Sequence, residues 1–170
     1  HKISSIIEWC VVAAEFLLLF AFSIPFWSVH IASLPTSKDN VEIKIIGQQF
    51  AWNVHYPGPD GKFGKASAKY LEENTLGLDP NDPNGNDDIT TMNQVYVPIN
   101  KTVIFRMTSK DVIHSFGIPA MRAKQDVIPG MTTMMWFTPN KLGQFDIVCS
   151  QLCGLGHYRM RAILNVLTQE

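Results

Sequence analysis

The 170-residue chain carries 14 basic and 15 acidic side chains, a formal net charge of −1. Such a balance supplies no basic surface for neutralising phosphates and excludes nucleic-acid binding, while the length suits one domain plus an appendage. Apolar residues crowd into the first 35 positions, and of three cysteines Cys10 falls in that run as a buried, inert thiol, leaving Cys149 and Cys153 as the chemical pair. The chain opens on His1 rather than Met, which reads as processing or a fragment.

Residues 9–34 form an apolar run with few charges, long enough at about 1.5 Å per helical residue to cross a ~30 Å hydrocarbon core. The run exceeds a signal sequence's apolar core and lacks a small-residue cleavage site, so the spacing predicts a transmembrane helix over roughly residues 1–35. Trp9, Phe26 and Trp27 sit near its ends, where amphipathic rings favour the interface, and Pro25 should kink it or mark its last turns. Glu8 and Glu15 are seven residues apart and share a face. A carboxylate at membrane depth costs ~2.5 kcal/mol or more, which marks it for proton traffic or for pairing with a neighbouring subunit; for Glu8, a position at the interface is an equal alternative. Lys2 and Lys38, one on each side, give almost no topological signal.

Residues 36–170 turn polar and alternating. Val41, Ile43 and Ile45 face one way and Glu42 and Lys44 the other, and Gly47 to Tyr56 continues as an extended segment with Phe50, Trp52, Val54 and Tyr56 in alternation. Pro57 to Gly61 is a turn cluster. Residues 62–93 form an insertion whose stretch from Glu72 to Asp88 holds six acids and no Lys or Arg. Its composition is that of a calcium loop, but the acids miss the EF-hand ligand positions, so it reads as a solvated loop. Val95–Pro98, Thr102–Thr108, His114–Ile118, Met131–Phe137, Phe145–Cys149 and Ala162–Leu167 read as short strands, which argues for a mainly β, antiparallel sandwich or barrel.

The stretch from Cys149 to Met160 packs two thiols, an imidazole (His157) and a thioether into twelve residues. Soft sulfur and borderline imidazole suit copper or zinc and suit magnesium or calcium poorly. A further strong ligand must come from elsewhere. His1 is terminal, His30 lies in or beside the helix, and His55 sits on a strand with an aromatic opposite face, where a surface or hydrogen-bonded role fits. His114 opens a strand at an edge where sandwich loops cluster. A structural zinc site leaves Met160 idle and prefers closer cysteine pairs. A Cys149–Cys153 disulfide leaves the histidines unexplained, and a mononuclear blue-copper centre needs one cysteine. Two bridging sulfurs between two copper ions, each with one histidine, use the whole set.

Asp111-Val112-Ile113-His114-Ser115, then Lys124-Gln125-Asp126-Val127-Ile128-Pro129-Gly130, then Cys149-x-x-x-Cys153-x-x-x-His157-x-x-Met160, all after a membrane helix, resemble subunit II of haem-copper cytochrome c oxidase. The resemblance runs from the helix to the C-terminus apart from the acidic insertion. It implies a cupredoxin-like β-sandwich bearing the dinuclear copper A centre on the outer, periplasmic or intermembrane, face of a respiratory membrane, with the bacterial inner membrane the favoured one. It implies that Cys149 and Cys153 bridge both coppers, that His114 and Met160 complete one, and that His157 and the backbone carbonyl of Gln151 complete the other. The implied role is to take single electrons from a c-type cytochrome and pass them to haem in catalytic subunit I, as a subunit of a proton-pumping, oxygen-reducing enzyme.

Several positions depart from that family. Gln151 stands where a glutamate usually binds an interface magnesium, so the carbonyl survives, the charge is lost, and weakened magnesium binding is expected. In Gly47-Gln48-Gln49-Phe50-Ala51-Trp52, Phe50 replaces the tryptophan nearest cytochrome c, Ala51 replaces a tyrosine, and Trp52 is retained either for electron input or as core. Met131 replaces an arginine. Glu8 matches the family's carboxylate at the mouth of a proton channel. The acidic stretch is suited to steering a basic cytochrome, to a subunit contact, or to solvation alone. No CxxCH occurs, so no covalent haem is carried. The copper cysteines exclude a quinol oxidase subunit, leaving as alternatives a copper A subunit of another reductase, such as a nitric oxide reductase, and a membrane-anchored copper or zinc module without redox work.

Overall fold

A computed structural model describes residues 2–37 and 39–169, so His1 and Lys38 lie outside it. The chain divides into two units, His1–Thr36 and Ser37–Glu170.

The first unit is helical: α1 (Lys2–Leu18), a π-helical turn (Leu19–Ser23) and α2 (Ile24–His30). Its membrane-length segment, Ile3–Val29, holds 27 residues, a rise of about 40 Å that exceeds the ~30 Å core. The helix thus starts earlier and ends sooner than the 9–34 run: after His30 the backbone leaves helical geometry at Ile31, and Pro35 restricts the residue before it. Pro25 is accommodated inside the helix. A proline has no N–H and its ring crowds the carbonyl one turn back; the wider turn just before it, where the Ile24 N–H reaches the Leu19 carbonyl, absorbs that conflict. Glu8 accepts a hydrogen bond from Ser4 Oγ at 2.9 Å. The segment is apolar apart from its serines and the carboxylates Glu8 and Glu15, and none of its most apolar window is buried.

The second unit is a two-sheet sandwich. The first sheet contains β1 (Val41–Gln48), β2 (Ala51–Tyr56), β3 (Ile89–Met92), β5 (Val103–Ser109) and β8 (Thr133–Phe137), in the order β3-β2-β1-β5-β8. The second contains β4 (Gln94–Pro98), β6 (His114–Ile118), β7 (Ala123–Val127), β9 (Gly143–Cys149) and β10 (Arg161–Leu167), in the order β4-β10-β9-β6-β7. Most pairings are antiparallel, but β1 runs parallel to β5 and β4 parallel to β10. The inner faces meet through Ile43, Ile45, Trp52, Phe105, Phe116 and Leu164, all wholly buried. The extended segment expected over 47–56 is instead a hairpin: Gly47 pairs with Trp52 and Gln48 with Ala51, and the chain reverses at Gln49-Phe50.

The acidic insertion is more structured than a solvated loop. Asp82 is buried and its Oδ2 accepts from the Lys65 N–H at 2.8 Å, while Asp88 Oδ2 accepts from the Gly64 N–H at 2.8 Å and from His55 Nε2 at 2.5 Å. These carboxylates satisfy backbone N–H groups alongside the segment's own backbone bonds, such as Ser67 N–H to the Gly77 carbonyl and Asp79 N–H to the Lys65 carbonyl. The fold-back buries His55, one of the two alternatives raised for it, as a hydrogen-bonded residue. Glu72 and Glu73 remain exposed. Lys110 Nζ donates to Gln48 Oε1 at 3.1 Å and to the Thr75 carbonyl, tying the insertion to the β1–β5 end of the sandwich.

Candidate metal centre

Two segments converge at one end of the second sheet. His114 is the first residue of β6 and wholly buried; its Nε2 meets Asp111 Oδ1 at 2.9 Å, which turns Nδ1 toward Cys149 Sγ, 3.9 Å away. Cys149 ends β9 opposite Phe116, and its N–H donates to the Met160 carbonyl at 3.1 Å, closing the base of the following loop. Within the loop a short 3-10 turn over His157–Arg159 is entered through Gly154, whose φ of 127° is one that side chains other than hydrogen avoid. That path returns His157 Nδ1 to within 3.6 Å of Cys153 Sγ and Met160 Sδ to within 3.8 Å of it. The Gln151 carbonyl oxygen lies 3.1 Å from Cys149 Sγ, while its side chain faces solvent. The fold therefore gathers His114, Cys149, Cys153, His157, Met160 and the Gln151 carbonyl into one cluster, and His114, Cys149 and Cys153 form a group whose ligand atoms all lie within 4.8 Å of one another.

The donor set fits a soft metal. Both thiols are free, and their sulfurs stand 3.8 Å apart, far beyond the ~2.05 Å of a disulfide and less than two metal–sulfur bonds of ~2.3 Å end to end. A metal bonded to both sulfurs is accommodated. Burial pushes the Cys149 thiol up, but hydrogen bonds from His114, the neighbouring backbone and His157 outweigh it and bring the thiol down to about 6. Burial, followed by the Cys149 sulfur and the Asp111 carboxylate, pushes Cys153 up to about 11. The two thiols are thus unequal, Cys149 giving up its proton the more readily, and binding a metal to both displaces protons. Burial alone lowers the His114 pKa, but the Cys149 sulfur and Asp111 win and raise it. Burial likewise raises Asp111, yet the Gln49 N–H, His114 and the Val112 N–H hold it below the usual carboxylate range.

The two aromatic candidates divide. Trp52 is wholly buried, its ring 5.8 Å from His114 and 5.0 Å edge-on to Phe116, and its Nε1 has no hydrogen-bond partner among the described residues. Phe50 is half-buried and lies on the ligand loop: a Cβ on Gly156 would stand 2.3 Å from Phe50 Cδ2. Gly156→Ala is therefore expected to displace that ring at a cost of about 1–3 kcal/mol, measured as a lowered thermal midpoint of the metal-free chain. Around the loop, Leu152, Leu155 and Tyr158 project into solvent, with Leu155 98% exposed. Met131 is also exposed. Sequence reasoning passed over Asp111 and Gln49 as parts of the site. A carboxylate three residues before a metal-binding histidine was the available signal for the first; no local signal marked the second.

The family model for the cytochrome c oxidase subunit II periplasmic domain matches residues 41–167. An alternative cytochrome c oxidase subunit 2 of Bradyrhizobium diazoefficiens is 43% identical over 126 residues, covering 73% of this chain and 46% of that protein. A cytochrome c oxidase subunit 2 of Cereibacter sphaeroides is 30% identical, covering 96% of this chain and 57% of that one. The crystal structure of the periplasmic domain of cytochrome oxidase subunit II from Bradyrhizobium japonicum superimposes with a TM-score of 0.57 at 33% identity, over 80% of this chain and 88% of that one. This chain spans about half the length of the curated relatives it matches. With the sandwich, the apolar helix and the sulfur–imidazole cluster all in the expected order, the chain belongs to the cytochrome c oxidase subunit II family.

Proposed function

We propose that this chain is the electron-input subunit of a respiratory haem-copper oxidase and holds a dinuclear copper A centre. The observation that carries the reading is the pair of free, buried thiols 3.8 Å apart, each flanked by an imidazole Nδ1. Cys149, Cys153, His114, His157, Met160 and the Gln151 carbonyl would together hold the two metals. When bound, the group supplies a one-electron couple shared over two coppers and two sulfurs. The chain's own part is to keep those ligands in place and dry: His114 is fixed by Asp111, and Met160 and both cysteines are buried. Rigid ligands change little between oxidation states, which favours fast transfer.

In this reading a c-type cytochrome docks over the solvent-facing Leu152, Leu155 and Tyr158, with Phe50 against the loop beneath it as the point of electron input. Trp52, buried behind His114, serves as packing for the ligand rather than as a surface contact. Electrons leave to haem in the catalytic subunit, and the apolar helix anchors the chain in the respiratory membrane with the sandwich on the periplasmic side. Glu8 supports proton uptake in that assembly; a Glu8→Gln enzyme that pumps normally would remove this role. The exposed Glu72 and Glu73 favour a basic donor, so the association rate should fall as salt rises. Gln151 offers an interface cation only a neutral amide, so magnesium binds weakly there. The test is copper loading followed by EPR and stopped-flow reduction with a c-type cytochrome. The expected result is a mixed-valence dicopper signal that bleaches with one electron per centre. A signal from isolated copper ions, or no reduction by the cytochrome, overturns the reading.

A further inference from the structure

The two ligand-bearing segments come from different parts of the fold, and one residue touches both. Gln49, at the β1–β2 reversal, donates its backbone N–H to Asp111 Oδ2 at 2.7 Å. The same Asp111 holds His114 Nε2 through its other oxygen at 2.9 Å. The Gln49 side chain reaches the other segment, where its Nε2 donates to the Cys153 carbonyl at 2.7 Å. The fit leaves no slack: a Cβ on Gly154 would stand 2.8 Å from Gln49 Nε2. Cys153 has no strand to hold it, since β9 ends at Cys149 and β10 begins only at Arg161.

We propose that Gln49 is a positioning residue for the metal centre, a bracket that ties the Cys153 turn to the Asp111–His114 pair and so holds the distance between ligands on opposite sides of the centre. The proposal rests on the copper reading for its effect on metal and on the bare fold for its effect on Cys153. A carbonyl held by a donor from a second element loses the freedom to rotate, and the cysteine sulfur moves with it. Gln49 is exposed, so it adds little to global stability and its loss acts locally. It differs from the metal's direct partners because it reaches them only through Asp111 and the Cys153 backbone.

The experiment uses the full chain with Gln49→Ala and Gln49→Glu. Glutamate keeps the length and the exposed surface but offers no N–H at neutral pH, so it separates the lost donor from lost bulk. Both variants should melt like the parent in the metal-free state. Both should release copper to a chelator about 10-fold faster than the parent, the size expected for outer partners of metal ligands. Both should also shift the visible absorption of the loaded centre. In the metal-free chain, alkylation of Cys153 relative to Cys149 should rise several-fold. Parent-like copper release and parent-like alkylation in both variants overturn the proposal, as does a defect in Gln49→Ala that Gln49→Glu does not share. A parent chain that fails to take up two coppers counts against the copper A reading alone, and the alkylation ratio then decides the bracket by itself.

Discussion

On the copper A reading, Cys149→Ser and Cys153→Ser chains are each expected to take up at most one copper ion where the parent takes two. A serine oxygen is a hard, protonated ligand at neutral pH and does not replace a bridging thiolate. With one sulfur gone, His114, His157, Met160 and the Gln151 carbonyl are left around a single thiolate, and the soft two-sulfur floor is lost. The measurement is copper stoichiometry with EPR, where hyperfine structure from one copper nucleus should replace that from two. Retention of the dicopper pattern in either variant contradicts the ligand assignment. Met160→Leu should be milder, because the thioether is the weakest donor and leucine conserves its buried volume.

Asp88→Ala should destabilise the sandwich by about 3 kcal/mol, because it strands two donors at once, the Gly64 N–H and His55 Nε2. The side chains of His55 and Asp88 are 3% and 1% exposed, so water does not easily replace the lost oxygen. The expected fall in the thermal midpoint is about 10 °C. Asp88→Asn keeps one acceptor and should lose less. Copper spectra should be unchanged in both, since the pair secures the insertion rather than the metal.

The same pair carries a pH signature. Burial depresses the His55 pKa, and the hydrogen bond it donates to Asp88 only partly restores it. The unfolded imidazole takes up its proton near pH 6.5, whereas the folded one resists until lower pH, so the unfolded state binds more protons. Stability from His55 is therefore complete above about pH 6.5 and falls as the pH drops from there toward the folded pKa. His114, raised in the metal-free chain, contributes with the opposite sign. The difference in pH dependence between the parent and His55→Gln isolates the His55 part, and a variant with the parent's slope contradicts it.

Residue pattern alone exposed much of this fold, unevenly. Strand β6 was legible to the residue, and β4, β5, β8, β9 and β10 to within two residues or so, because β-branched and aromatic residues alternate between turn signals. The β1–β2 reversal was not, since Gln49-Phe50 contains none of the glycine, asparagine or proline that normally mark a turn. Nor was the burial of Asn53 and His55 on the outer side of β2, which depends on an insertion folding back from more than thirty positions away. β7 was hidden by its charged residues, and β3 by its place within the insertion. The ligand cluster was legible because sulfur and imidazole are rare and their spacing is chemical. Gln49 acts through contacts 62 and 104 residues away in the chain, which no local pattern reports, whereas Asp111 stands only three residues before the His114 it holds.

The parallel pairings of β1 with β5 and of β4 with β10 join strands roughly 60–70 residues apart, the kind of non-local closure that makes folding slow. β10 lies between β4 and β9 in its sheet, yet it begins at Arg161, one residue after the last of the proposed ligands. A growing chain that has reached Met160 thus possesses every donor atom of the metal cluster and lacks the strand on which β4 and β9 assemble. Ligand supply and ligand alignment are separated in time during synthesis, and a metal captured in that interval would meet flexible sulfurs rather than a shaped site. On the copper reading, faithful loading then belongs to the finished sandwich, after β10 has been inserted.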